Sequence, residues 1–332
     1  MASIMTNASA LTALQSLNAT QKNLDTTQSR ISTGYRVSQA SDNAAYWSIA
    51  TTMRSDNQAM STVSDALGLG ASKVDTAYTG MSSAIDTINK IQQKLTASYG
   101  QTDASKEKTQ TEIKALQDQL KAYADGATFS GTNMLSVNSG TATAAADVKI
   151  VSAFNRSATG AVSISTIDVN VESIKLYEAG TTAGTQKGIL DANYVGATGA
   201  IVGTAQNPTL GAAAAAGDTY SVAGLKIFDS ATGKGASDTQ IAEMMNVVDT
   251  ALKAMTTAAT KLGAAKSSID LQKTFTSSLM DSIDRGVGQL VDADMNKEST
   301  RLQALQVQQQ LGVQALSIAN GSSQSILSLF RG

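Results

Sequence analysis

The sequence contains neither cysteine nor histidine. That excludes disulfides, a thiol nucleophile, Cys- or His-ligated zinc, and any Ser–His or Cys–His catalytic arrangement. It also removes any sign of redox compartment. Proline occurs once, as Pro208, so almost nothing interrupts a helix. Aromatic residues are 4% of the chain while hydrophobic residues are 42%, so the apolar surface sits on small and aliphatic side chains, which form thin helical seams more readily than one thick core. A surplus of one charge is missing too. The 332 residues carry a formal net charge of −2, which gives no general pull toward nucleic acid or anionic lipid. There is no run of about 18 apolar residues, so no membrane insertion is expected. The first residues lack the basic and apolar regions of a secretory signal. Composition alone would place the chain in the cytosol, as two or three domains.

Glycine marks the organisation. Five glycines fall in residues 1–125, 15 in 126–240 and 6 in 241–332, which predicts two helical flanks folding together around an inserted, loop-rich middle. Met60, Leu67, Val74, Met81, Ile88 and Leu95 lie seven apart, with Val63, Ala77, Ala84 and Ile91 three residues after four of them. This spacing predicts one long helix with a narrow coiled-coil seam. Ile113, Leu116, Leu120 and Tyr123 predict a shorter second helix, entered through a turn at 99–103 with Asp103 as its cap. Ile241, Val248, Met255, Leu262 and Ile269 repeat the seven-residue step, with Met245, Leu252 and Ala259 at the companion position. Three such helices can close one bundle, and core packing is the simplest use of these stripes.

The middle alternates as β-structure does. Residues 148–154 and 161–171 flank a turn at 155–160 and predict a hairpin. Short strands are expected at 173–177 and 220–228, in a region expected to be exposed and tolerant of change.

The two ends are apolar on more faces than one partner helix can cover. Leu17, Leu24 and Ile31 lie seven apart beside Leu14, and Leu11 falls on an adjoining stripe with Ile4. Toward the C-terminus, Met295, Leu302, Leu305, Leu316, Ala319 and Ile326 form one face and Val307, Leu311, Ile318 and Leu329 another, with glutamines between. A single seam returns less free energy than ordering such a segment costs, so these ends are expected to be mobile alone and to need neighbours on both sides.

The same ends resemble those of flagellin, the bacterial flagellar filament subunit. The stretch SALTALQSLNATQKNL (9–24), followed by QSRISTGYRVSQASDNAA (28–45), is similar to that family's opening and its arginine–leucine–serine–serine–glycine turn. Asp292 and Asp294, QQQLGVQALSIAN (308–320) and SILSLFR (325–331) are similar to its closing signature, and residues 152–161 resemble the rhizobial, alphaproteobacterial members. The resemblance covers about 1–137 and 240–332. It implies a mainly α fold with an inserted β-rich region. Residues 1–45 plus 290–332 would form a terminal coiled coil lining the filament's inner tube. Residues 46–171 plus 239–289 would form a helical-bundle shell with a β-hairpin at about 148–171, and 172–238 a variable, surface-exposed domain. It implies a self-polymerising structural subunit for swimming motility, with no enzyme activity and no cofactor. Its partners would be other copies, paralogous flagellins, the export apparatus, a chaperone, the cap and hook-associated proteins. The chain would leave the cell unfolded through the flagellar type III system, which needs no cleaved signal. Alternatives are a hook–filament junction protein, which has similar ends, and a secreted adhesin. Innate immune recognition is not expected. Ser41-Asp42-Asn43 stands where plant-detected flagellins have lysine–aspartate–aspartate, and Gln92-Gln93-Lys94 replaces the arginine pair and glutamate of the Toll-like receptor site.

Single residues carry further expectations. Arg30, Gly34, Arg36 and Asp42 form the turn after the first helix, either an inter-subunit polar contact at a domain joint or a solvated turn with Asp42 capping the next helix. Gly34 is expected to be left-handed. Trp47, the sole tryptophan, is expected to anchor packing at the start of the long helix. Asp292 and Asp294 are expected to serve a helix start rather than a metal. Lys106, Glu107 and Lys108 are expected to be solvated. Deleting 172–238 is expected to leave polymerisation intact.

Overall fold

The computed structural model describes residues 7–139, 145–157, 159–180, 188–203, 206 and 208–329, with the backbone alone for 322–329. The chain runs α1 (Ala8–Thr33), α2 (Ala44–Ser98), α3 (Asp103–Gly126), β1 (Thr128–Phe129), β2 (Thr132–Asn133), β3 (Ser136–Val137), β4 (Val148–Arg156) and β5 (Val162–Val169). It continues through β6 (Tyr177–Glu178), β7 (Asn193–Val195), β8 (Ile201–Val202), β9 (Thr219–Tyr220), β10 (Phe228–Asp229), β11 (Lys234–Gly235), α4 (Asp238–Val291) and α5 (Met295–Leu329). The fold is mainly α with an inserted strand-containing region. Two compact units share the chain: Met1–Ala59 with Leu279–Gly332, and Met60–Ser278. The division falls later in α2 and earlier in α4 than the boundaries at 45 and 290 drawn from the sequence.

The unit Met60–Ser278 is built on the heptad seams. Leu67, Val74, Met81, Ile88, Leu95, Ile241, Val248, Met255 and Leu262 are all fully buried, and Met60 nearly so. Asp75 pairs with Lys266 and Thr96 reaches Met245, so α2 and α4 run antiparallel here. The α4 companions are corrected by one residue: Met244, Ala251 and Ala258 are buried, while Met245, Leu252 and Ala259 pack at the core's edge. A helix has 3.6 residues per turn, so i+3 and i+4 compete for the same seam. The hairpin β4–β5 is antiparallel with a bulge between Val151 and Ala153. It lies so close to α2 that a Cβ on Gly70 would stand 2.3 Å from Ile150, which accounts for a glycine inside a helix.

The middle differs from its expectation. Residues 171–173 form a 3₁₀ turn where a strand was expected, and 221–227 is not a strand; only its flanking residues pair. Nor is 172–238 a separate exposed layer: Leu176, Leu190, Tyr194, Val222, Leu225 and Ile227 lie in the same core as the α2, α3 and α4 seams. Polar side chains of α3 hold it. Gln117 donates to the Val222 and Leu225 carbonyls at 2.9 and 3.1 Å. Lys106 donates to the Ala236 carbonyl at 2.8 Å. Lys106 is thus buried, not solvated. Asp103 is the first helical residue rather than the cap, and its carboxylate accepts from the Gly235 amide at 3.2 Å.

Threonine hydroxyls in the helices turn back on their own backbone. Thr12, Thr20, Thr26 and Thr33 in α1, and Thr256, Thr257, Thr260 and Thr274 in α4, each donate to the carbonyl four residues earlier.

Candidate assembly interface

The first unit pairs the two ends of the chain. Asn7 caps α1, its side-chain oxygen accepting from Ala10 N–H at 3.0 Å, while its amide donates to the Ala319 carbonyl at 2.9 Å. Gln309 donates to Gln21 at 2.8 Å, and Arg30 pairs with Glu298 at 3.3 Å. Contacts that rise along α1 fall along α5, so the helices are antiparallel. A Cβ on Gly312 would come within 3.2 Å of Leu17, so glycine lets the backbones close.

Burial sorts the expected packing residues. Leu24 and Leu305 are buried, and Leu17, Ile31, Leu302 and Leu316 are half-buried. Leu11, Leu14, Met295, Leu311 and Ile318 are exposed, with Leu311 at 58% and Ile318 at 71%. Met295 therefore does not join Leu302 and Leu305, because it stands at the start of α5. Ile326 and Leu329 lie outside the residues whose side chains are described. Each end thus buries one stripe against the other and leaves a second apolar stripe open. The pairing gives each helix one neighbour.

The turn between α1 and α2 locks onto the end of α4. Gly34 takes φ +74°, a left-handed helix cap, and its amide donates to the Arg30 carbonyl. Its own carbonyl accepts from Ala293 N–H at 2.8 Å. Tyr35 forms a bridge with Asp292. The Arg36 and Val37 amides both donate to the Val291 carbonyl, and the Arg36 guanidinium donates to the Leu290 carbonyl at 2.9 Å. Beneath them Val37, Ala50, Val287 and Val291 make a small core. The Arg54 guanidinium sits 4.7 Å from the Tyr35 ring centre.

Asp42 does not cap α2. Its carboxylate accepts from the Ser38 amide at 3.0 Å, the Ser38 hydroxyl at 3.2 Å and the Gln39 amide at 3.1 Å. These bonds, the Ser38 amide's first, hold the carboxyl below its ordinary value. The cap is Asn43, which accepts from the Ala45 and Tyr46 amides. Asp294 caps α5 through the Asn296 and Lys297 amides. The Lys297 amide does most to lower its carboxyl's pKa. Trp47 is not an anchor: it is 39% exposed beside exposed Tyr46 and Ile49, and Ala50 takes the core position. Among the described residues no cluster of three acidic groups could hold a metal, and no helix is long and apolar enough to cross a membrane.

Sequence reasoning missed Glu298, Tyr35 and Arg54. Glu298 is buried with one carboxylate oxygen unpartnered among the described residues. Only the register of α1 on α5 brings it to Arg30, and periodicity does not report register. Asn7 was legible as a cap residue directly before a helix.

Residues 4–140 match the family model of the bacterial flagellin N-terminal helical region, and 245–330 match the bacterial flagellin C-terminal helical region. The chain is 48% identical to flagellin C of Rhizobium meliloti (strain 1021) over 334 residues, and 48% identical to a flagellin of Brucella melitensis biotype 1 over 333. Both chains are covered completely in each comparison. Flagellin A of Rhizobium meliloti (strain 1021) is 43% identical over 404 positions, again with full coverage of both. That alignment is longer than this chain, so flagellin A carries inserted residues.

Proposed function

We infer that, since the chain belongs to the bacterial flagellin family and so is a structural subunit of the flagellar filament, its two paired ends are the part by which one copy packs on the next. The family is a structural one, it self-polymerises, and its filament is extracellular. The cytosolic placement is thereby corrected: a secretory signal is not the only route out of a cell. Matches along the whole chain favour the filament subunit over a junction protein or an adhesin.

The observation that carries this reading is the open stripe on the paired ends. Leu11 and Leu14 on α1, and Val307, Leu311 and Ile318 on α5, are exposed in the single chain. Large exposed apolar side chains repeated along one face of a helix, as Val307, Leu311 and Ile318 are on α5, mark a surface that is covered in use. In this reading Leu17, Leu24, Ile31, Leu302, Leu305 and Leu316 hold the two ends of one subunit together, and the open stripe meets its neighbours. The turn at Arg30, Gly34, Arg36 and Asp42 fixes the pair to the end of α4. Tyr46, Trp47 and Ile49 are a second candidate contact. We assign 1–45 plus 290–332 to the inner tube, the helical seams to the shell, and no catalytic role to any residue. Export in an unfolded state through the flagellar type III system, co-assembly with paralogous flagellins, and contacts with a chaperone, cap and hook-associated proteins complete the proposal.

Electron microscopy of Leu311→Asp tests it. The free protein should melt as the parent does, because position 311 is exposed, yet filaments should be absent, because assembly would bury a charge. Removing the last 20 residues should have the same effect. Normal filaments from either variant would overturn the reading.

A further inference from the structure

We propose that the cleft between the β7–β9 strands and the β10–β11 hairpin binds an acidic oligosaccharide. The cleft holds about 610 Å³, inside the roughly 300–1,000 Å³ of small-molecule sites. Its wall is built by Asn193 on β7, the loop 208–210, Ser221 after β9, Lys226, and the hairpin with Lys234. The donors along it are largely unspent. Lys226 and Lys234 are exposed and have no hydrogen bond or ion pair among the described residues, nor do the side chains of Asn193 and Thr209. Ser221 uses its oxygen to accept from Gly224 N–H, leaving its proton free to donate. The one acid on the wall is already committed: Asp229 accepts from the Ala231 amide and the Thr232 hydroxyl, each at 3.1 Å. Lys234 is also placed rather than loose, because its stem lies against Gly211, whose Cβ would stand 3.4 Å from the lysine Cδ.

The cleft therefore offers two cations on separate elements with neutral donors between them. That pattern fits a ligand rich in hydroxyls and carrying a carboxylate on successive units. It fits a nucleotide poorly: Tyr220, the aromatic residue on the wall, is buried, so no open ring face is left for a base. Two other grooves among the described residues lack this combination. The one lined by Gln92, Gln93 and Thr96 has no cation, and the one beside Lys261 is about 270 Å³ with a single lysine.

The site would let a chain of this kind adhere to acidic polysaccharide. Binding by the free chain does not depend on how copies assemble, so its test stands apart from the filament reading. Full-length monomer is titrated calorimetrically with trigalacturonate, with maltotriose of equal length, and with inorganic phosphate. Trigalacturonate should bind at least about tenfold more tightly than either control, and added salt should weaken it. The double variant Lys226→Gln/Lys234→Gln should lose about tenfold in affinity with its circular dichroism and melting unchanged, since both positions are exposed. Asn193→Ala should weaken binding further. No heat with trigalacturonate, an unchanged affinity in the double variant, or equal binding of phosphate would each overturn the proposal.

Discussion

Asp42 and Lys175 show how much single charges settle in a chain with few of them. Because the Asp42 carboxyl is held below its ordinary 3.8, its contribution is present above that value and is lost as pH falls through the depressed one. Amide exchange at Ser38 and Gln39 should therefore stay slow at pH 5 and quicken in strong acid. In Asp42→Asn the acid dependence should disappear. Lys175 is fully buried, with Glu178 at 2.8 Å, Glu172 at 2.9 Å and Ser139 at 3.2 Å. Burial opposes its charge, but the bonds to Glu178 and Glu172 outweigh this and raise its pKa. Burial opposes the Glu178 charge as well, and there the Lys175 bond leads in lowering the pKa. The pair therefore stabilises from above the ordinary glutamate range up to the lysine range and is lost outside both. Lys175→Met should cost about 3–5 kcal/mol, since it leaves a carboxylate buried without its cation. Urea unfolding measures this, and Lys175→Met/Glu178→Leu should recover most of the loss.

The elements differ in how plainly the sequence announced them. The seams of α2 and α4 repeat over enough turns that spacing alone finds the buried residues, and the hairpin β4–β5 is long enough to alternate. Strands of two or three residues are too short to alternate, so β7, β8 and β11 left no trace in the pattern, and the strands expected at 173–177 and 220–228 meet β6, β9 and β10 only at their end residues. The burial of Lys106, the pairing of Glu298 with Arg30, and the exposure of Trp47 depend on what stands opposite, which a periodicity cannot specify. The open stripe on α5 was legible as a second apolar face, while its exposure needed the structure. A paired measurement separates the two faces. Leu305→Ala should remove about 2–5 kcal/mol from the α1–α5 pairing, read as faster amide exchange along α1. Ile318→Ala should stay within about 0.5 kcal/mol in the free chain but raise the concentration needed for filaments.

At the scale of the whole molecule, the inserted middle is part of the core and not an appendage. Deleting 172–238 would strip Leu176, Leu190, Tyr194, Val222, Leu225 and Ile227 from the packing around α2, α3 and α4. Contrary to the tolerance read from composition, that variant should lose its cooperative calorimetric transition and bind apolar dyes. A short insertion at 230–233, where the side chains are exposed, should leave the transition in place.

The helices owe much of their polar surface to threonines whose hydroxyls are already satisfied by the carbonyl one turn back. Such groups are neutral at any acidity that water allows, and a neutral bond has no ion atmosphere to disturb. Salt should therefore loosen the exposed pairs Lys94–Glu112 and Asp75–Lys266 first, while the threonine bonds keep the helices of a fibre in place from fresh water to brine.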